Sequence, residues 1–102
     1  MALSDLNKTK ITGGLKMLLF VVKSINAENY TVQTYTDNGS EDAFSPWPYQ
    51  TKEFCEFFNN NGYDGEVNED GSLITGESYW DIYYTMQKFG RVRKFPVRMI
   101  QI

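Results

Sequence analysis

The longest unbroken apolar run in this 102-residue chain, Met17 to Val22, is only six residues long. That shortness constrains the fold more than any other feature. A helix that crosses a bilayer needs about 20 apolar residues, so no membrane span is expected here. A run of this length reads as a strand. Within Leu15 to Ile25 it ends in alternation, which predicts a strand covered on both faces and therefore central in its sheet. Lys8, Lys10 and Lys16 precede it in the manner of a secretory leader. Lys23 follows without a small-residue cleavage site, and the apolar core is too short, so a leader is rejected. The expected location is cytoplasmic, in a host cell if the chain is phage-encoded.

The other elements are read outward from this strand. Residues 1–13 form a polar lead-in ending at Gly13-Gly14. Asn26-Ala27-Glu28-Asn29 is a turn signal, and Tyr30 to Thr36 is β-branched and aromatic, so a second strand should pair back as a hairpin. Asp37-Asn38-Gly39-Ser40 breaks the chain. Phe44 to Tyr49 holds Pro46 and Pro48 around Trp47 and should be extended, because a residue before proline is pushed out of the helical region. Thr51 is placed as the cap of a helix carrying Phe54, Cys55, Phe57 and Phe58, ended by Asn61-Gly62. Asn68-Glu69-Asp70-Gly71 predicts a tight hairpin. A second helix is expected from Thr75, with Tyr79, Ile82, Tyr83, Met86 and Phe89 on one face and Gly90 as its stop. From Arg93 to Ile102, Phe95, Val97 and Met99 share one side of a closing strand, and Pro96 argues for a sheet edge. The expectation is one α+β domain over 1–102. It has an antiparallel sheet of about four to five strands and two helices on one face, in the order ββα-ββ-αβ.

Two absences narrow the chemistry. The chain has no histidine, which removes Ser-His-Asp and Cys-His catalysis and imidazole metal ligation. It has one cysteine, Cys55, so no internal disulfide forms. Cys55 lies on the apolar side of its helix and reads as a small buried hydrophobe rather than a nucleophile. Neither an enzyme nor a cofactor is expected.

Charge is segregated along the chain. Residues 28–81 hold twelve acids against the single base Lys52, a net of −11, while residues 1–27 carry +3 and residues 82–102 carry +5. The modest overall charge of −3 therefore conceals an acidic middle with basic ends. Carboxylates spread over helices and turns and flanked by aromatics can imitate a nucleic-acid backbone and be steered into a basic groove. The partner surface read from this pattern is Glu53, Glu56, Glu66, Glu69, Asp70, Glu77, Trp80, Asp81 and Tyr84. The expected partner is a basic nucleic-acid-binding protein or nuclease complex. The concrete form is an inhibitor of the kind phages and mobile elements direct against host defence, anti-CRISPR proteins included. The plain alternative is that these acids are a solvated surface that keeps the protein soluble.

Trp80 and Tyr84 are the aromatic members of that set and lie beside Glu77 and Asp81. They are one turn apart on the second helix, on a different flank from its apolar stripe. Exposed, they are interface anchors; buried, they say nothing about function. Trp47 poses the same choice between a recognition loop and a lid on the core.

Two further patterns give alternatives. Lys88, Arg91, Arg93, Lys94 and Arg98, mixed with Phe89 and Phe95, can grip nucleic acid directly, guard an edge strand, or meet the acidic pole of a second copy to form a homo-oligomer. Which applies depends on whether the bases share a face. Glu66 to Glu77 matches a calcium-binding EF-hand loop in part, with Glu66, Asn68, Asp70, Ser72 and Glu77 as the candidate ligands. Its first position is Glu rather than Asp, and Gly62 and Gly65 break the incoming helix. A turn on Asp70-Gly71 explains the same residues.

Overall fold

The structure is a computed structural model and describes residues 17–26, 28–37 and 44–102. The lead-in over residues 1–13 and most of the break after Asp37 lie outside these residues. Among the described residues six strands and two helices follow one another as β1 (Leu18–Ser24), β2 (Tyr30–Asp37), β3 (Phe44–Pro46), α1 (Pro48–Asn60), β4 (Glu66–Val67), β5 (Leu73–Thr75), α2 (Tyr79–Arg93) and β6 (Val97–Gln101). The sheet runs β4-β5-β2-β1-β6, and the three-residue β3 pairs with the far end of β2. The expected α+β order is present, with β3 added.

β1 is central, between β2 and β6. Its alternate residues Leu18, Phe20 and Val22 are fully buried beneath the helices, and Leu19 on the other side is 9% exposed. The β1–β2 hairpin closes where Asn26 Oδ1 accepts the backbone N–H groups of Glu28 and Asn29, at 2.8 and 3.0 Å, a side chain standing in for a backbone turn. Among the described residues all pairings are antiparallel except one: β6 runs parallel to β1, with Leu18 beside Val97 and Phe20 beside Met99. The sheet is therefore mixed. The cause is α2, which carries the chain back across the sheet between antiparallel β5 and the edge, as a parallel return requires.

Four phenylalanines fill the space between sheet and helices. Phe20 meets Phe54 at 4.9 Å and Phe89 at 6.3 Å, and Phe54 meets Phe89 at 5.5 Å, all edge to face. Phe58, Ile82, Met86 and Leu73 complete the cluster. Truncating any one of these phenylalanines to alanine costs about 3–5 kcal/mol. Trp47 lies half-buried against this core, its ring 6.2 Å from that of Phe95, so it covers the core.

Three boundaries differ from those read in the sequence, each for a tertiary reason. α1 begins at Pro48, a natural first helical residue. Thr51 is therefore inside the helix and buried, where its Oγ1 accepts the Thr34 backbone N–H at 3.1 Å and lies 2.7 Å from Thr34 Oγ1. Thr75 is the last residue of β5, and Ser78 caps α2 by accepting the Asp81 N–H at 3.1 Å. Gly90 does not end α2, which runs on to Arg93 and closes with Lys94 in the left-handed region at φ 61°. Gly90 is glycine because β6 passes over it: a Cβ there would stand 2.7 Å from Val97 Cγ1. Asn61-Gly62 ends α1 as expected, with Gly62 at φ +92°.

Candidate interaction surface

The antiparallel α1 and α2 separate charge along their length. Arg93, at the end of α2, reaches Glu53 in the second turn of α1 at 2.6 Å, the one ion pair among the described residues. At the opposite end, Tyr63, just beyond α1, lies beside Asp81 in the first turn of α2. The Asp81 carboxylate, together with burial and the hydrogen bond between the two groups, pushes the Tyr63 phenol above its usual range, and Glu77 adds to the effect. From Asp81 to Arg93 is about 18 Å along the helix axis. The acidic start of α2 and its basic end are thus on opposite sides of the molecule.

At the acidic end, Trp80 is 62% exposed and Tyr84 64% exposed. Their rings lie 6.2 Å apart and tilted by 32°, one turn apart on the helix. Tyr79 and Tyr83 meet the Trp80 ring edge to face at 5.9 and 6.0 Å, while themselves packing on the core. The aromatic stripe of α2 is therefore continuous from buried to exposed, and the buried half holds the exposed half in place. Large aromatics presented rigidly lose little conformational entropy when a partner covers them.

Carboxylates surround this patch. Glu77 Oε2 accepts the Asp64 N–H at 2.8 Å, which ties the loop after α1 to the approach of α2. The Thr75 hydroxyl donates to the Asp64 carbonyl and accepts the Glu77 N–H at 3.0 Å. Tyr30 of β2 pairs with Thr75 of β5, so the residues just outside these strands, Glu28 and Glu77, flank one open groove beside Trp80. A neighbouring groove, sharing Asn29 and Gly76 with the first, is lined by Asp64 and Glu66.

Of the residues read as a partner surface, Glu77, Trp80, Asp81 and Tyr84 come together, and Glu66 lies on the adjoining groove. Glu69 and Asp70 are exposed at the far end of the β4–β5 hairpin, where Gly71 approaches Pro48 at the start of α1. Asp70 organises that turn: Oδ1 accepts the Ser72 hydroxyl at 2.6 Å and the Ser72 N–H at 3.0 Å, and these bonds hold its carboxyl below the usual carboxylate range. Glu56 is exposed on α1. Glu53 is occupied by Arg93 and by Tyr49, whose phenol is pushed up chiefly by its hydrogen bond to Glu53. Sequence reasoning did not single out Glu28, Tyr63 and Asp64. Their place follows from strand register and from the α1–β4 connection, neither of which leaves a local pattern.

The twelve-residue calcium loop is not formed. Glu66 to Glu77 is the β4–β5 hairpin, in which Asn68, Asp70 and Ser72 bond to one another while Glu77 binds the Asp64 N–H beyond the strands. Among the described residues no group of three or more Cys, Asp or Glu side chains is placed to hold a metal ion.

The basic residues do not share one face. Lys88 donates to Asn61 Oδ1 at 2.9 Å, and Arg93 lies 5.3 Å over the Phe89 ring as well as on Glu53. Arg91 and Lys94 are exposed at the end of α2. Arg98 sits between Val97 and Met99, which pack on the core, so it points to the opposite side of the sheet. Cys55 is buried with its Sγ 3.5 Å from the Gly65 carbonyl, and burial pushes its thiol up. No helix among the described residues is long and apolar enough to cross a membrane. Comparison with protein-family models, with curated proteins and with solved structures finds no match.

Proposed function

We propose that this chain is a non-enzymatic binding protein that docks the acidic, aromatic start of α2 onto a basic partner. In its most concrete form it is a nucleic-acid-mimicking inhibitor of a nucleic-acid-handling complex, of the phage or mobile-element anti-defence type, acting in the host cytoplasm. The observation that carries this reading is the exposure of Trp80 and Tyr84, 62% and 64%, amid Glu77 and Asp81. Contiguous exposed aromatics on a small protein mark interaction sites. The surrounding carboxylates set the sign of the partner and speed its approach.

Direct nucleic-acid binding through the basic segment is less well supported, because Arg98 lies across the sheet from the α2 bases and Arg93 is already paired. Catalysis is not supported, since the one thiol is buried and the carboxylates line open grooves.

The test is capture of proteins from nuclease-treated lysate on the tagged protein, followed by competition with single-stranded and double-stranded nucleic acid. The reading expects a nucleic-acid-binding protein that elutes with salt, is displaced by nucleic acid, and is lost with Trp80→Ala/Tyr84→Ala. A captured partner that nucleic acid leaves in place, or that the double variant still holds, overturns it.

A further inference from the structure

The register that ends the sheet also builds a groove with a narrow chemical preference. With Tyr30 opposite Thr75, the next residues outward bring Asn29 to Gly76 and Glu28 to Glu77. A Cβ on Gly76 would meet Asn29 Oδ1 at 3.5 Å and the Glu28 carbonyl oxygen at 3.6 Å. Glycine leaves that space open, and a groove of about 760 Å³ runs between the β1–β2 turn and the start of α2. Glu28 and Glu77 line it together with Tyr30, Tyr79 and Trp80, and none of the described residues that line it is basic.

We propose that this groove receives an arginine side chain of the basic partner, with its guanidinium plane stacked on Trp80 and its N–H groups turned to Glu28 and Glu77. The inference rests on the docking function above and names the group that the surface recognises. Arginine fits on three grounds. Its guanidinium is planar and weakly hydrated, so it stacks on indole where a compact, strongly hydrated ammonium does so less well. Its donors form a fork that can serve two carboxylates at once. The Trp80 ring is also held in orientation by its edge-to-face contacts with Tyr79 and Tyr83, so the stacking plane exists before the partner arrives.

The molecule already makes this combination internally. Arg93 lies over Phe89 at 5.3 Å and binds the Glu53 carboxylate at 2.6 Å. At the groove the aromatic ring and the carboxylates are supplied by this chain, and charge complementarity assigns the cation to the partner.

The test is a ¹H–¹⁵N NMR titration of the whole protein with hexa-arginine and with hexa-lysine, two peptides of equal charge. The expected result is saturable movement of the Trp80 Nε1–H and Gly76 N–H signals. Arginine should bind roughly two- to fivefold more tightly, the margin of an exposed cation–π contact. Gly76→Leu should fill the groove and abolish binding while its remaining amide signals match those of the original protein. Equal affinity for the two peptides, or undiminished binding by Gly76→Leu, overturns the inference. If both peptides move the Trp80 and Tyr84 signals and leave Gly76 still, the groove assignment fails and the docking surface stands. If neither peptide moves any signal near Trp80, both fail. Gly76 and Trp80 signals that shift with protein concentration alone overturn it in favour of a second copy.

Discussion

Gly90→Ala separates a glycine that ends a helix from a glycine that lets a strand pass. On an exposed helix the change is favourable by about 1 kcal/mol, because alanine restricts the unfolded chain and suits the helix. Gly90 is buried, and its new methyl would stand 2.7 and 2.9 Å from the two Val97 methyls and 3.1 Å from the Phe95 carbonyl oxygen. Carbon atoms in contact sit about 3.5–4.0 Å apart, so β6 or α2 must move. Valine has few rotamers with which to retreat, and the Phe95 oxygen belongs to the backbone. Overpacking of this kind costs about 1–3 kcal/mol. Set against the propensity gain, a net loss of up to about 2 kcal/mol remains. For a chain of this size that lowers the Tm by up to about 16 °C. Reversible thermal and urea unfolding would measure it. The double variant Gly90→Ala/Val97→Ala should lose less than the two single changes together, because the clash exists only when both side chains are present. Stabilisation by Gly90→Ala alone would refute the reasoning and restore Gly90 as an ordinary helix end.

Other consequences follow from single contacts. Thr34 Oγ1 lies 2.7 Å from the Trp47 carbonyl, to which it donates, so Thr51 supplies the proton between the two hydroxyls and accepts the Thr34 N–H. Thr51→Val strands that buried N–H and should cost about 1–3 kcal/mol in urea unfolding; a neutral result would remove the hydroxyl pair from the account. The Asp70 carboxyl is held below its unfolded value, so its contribution to stability is present above about pH 4 and is lost as pH falls through the folded pKa. Asp70→Ala should accordingly flatten the acid limb of a stability–pH curve, and an unchanged slope counts against the turn. Cys55, buried and with its thiol pushed up, should react with a thiol reagent only as fast as the protein opens, and rapid labelling of the native protein would contradict its burial.

Much of the fold was legible because period and burial coincide. Leu18, Phe20 and Val22 alternate in the sequence and lie under the helices, and Ile82, Met86 and Phe89 form the buried stripe at helical spacing. The misplaced boundaries involve residues whose local and tertiary meanings differ. Gly90 near a helix end looks the same whether it serves as a cap or makes room for Val97. Thr51 has a capping side chain whose oxygen is taken by Thr34 across the layer. The parallel β1–β6 pairing had no local signal, since alternation is the same in either direction.

The candidate site was legible in part for the same reason. Trp80, Asp81 and Tyr84 share a helix and Glu77 lies just before its Ser78 cap, so spacing alone places them together. Glu28 and Asp64 join them only through register and connection. Arg98 was readable in principle, since the alternation of Phe95, Val97 and Met99 on one side sends it to the other. Glu53 was not, because its partner Arg93 is forty residues away in sequence.

The central claim, that the start of α2 is the docking surface, is tested most directly by two charge reversals of equal size. Glu77→Lys/Asp81→Lys changes that surface, whereas Glu56→Lys/Glu69→Lys changes exposed acids elsewhere by the same charge. Both variants are to be checked for an unchanged fold by circular dichroism and compared for retention of the captured partner at increasing salt. Loss of the partner with the first pair and its retention with the second is the predicted result. Equal loss with both pairs would mean that only net charge matters, and that outcome would contradict the account.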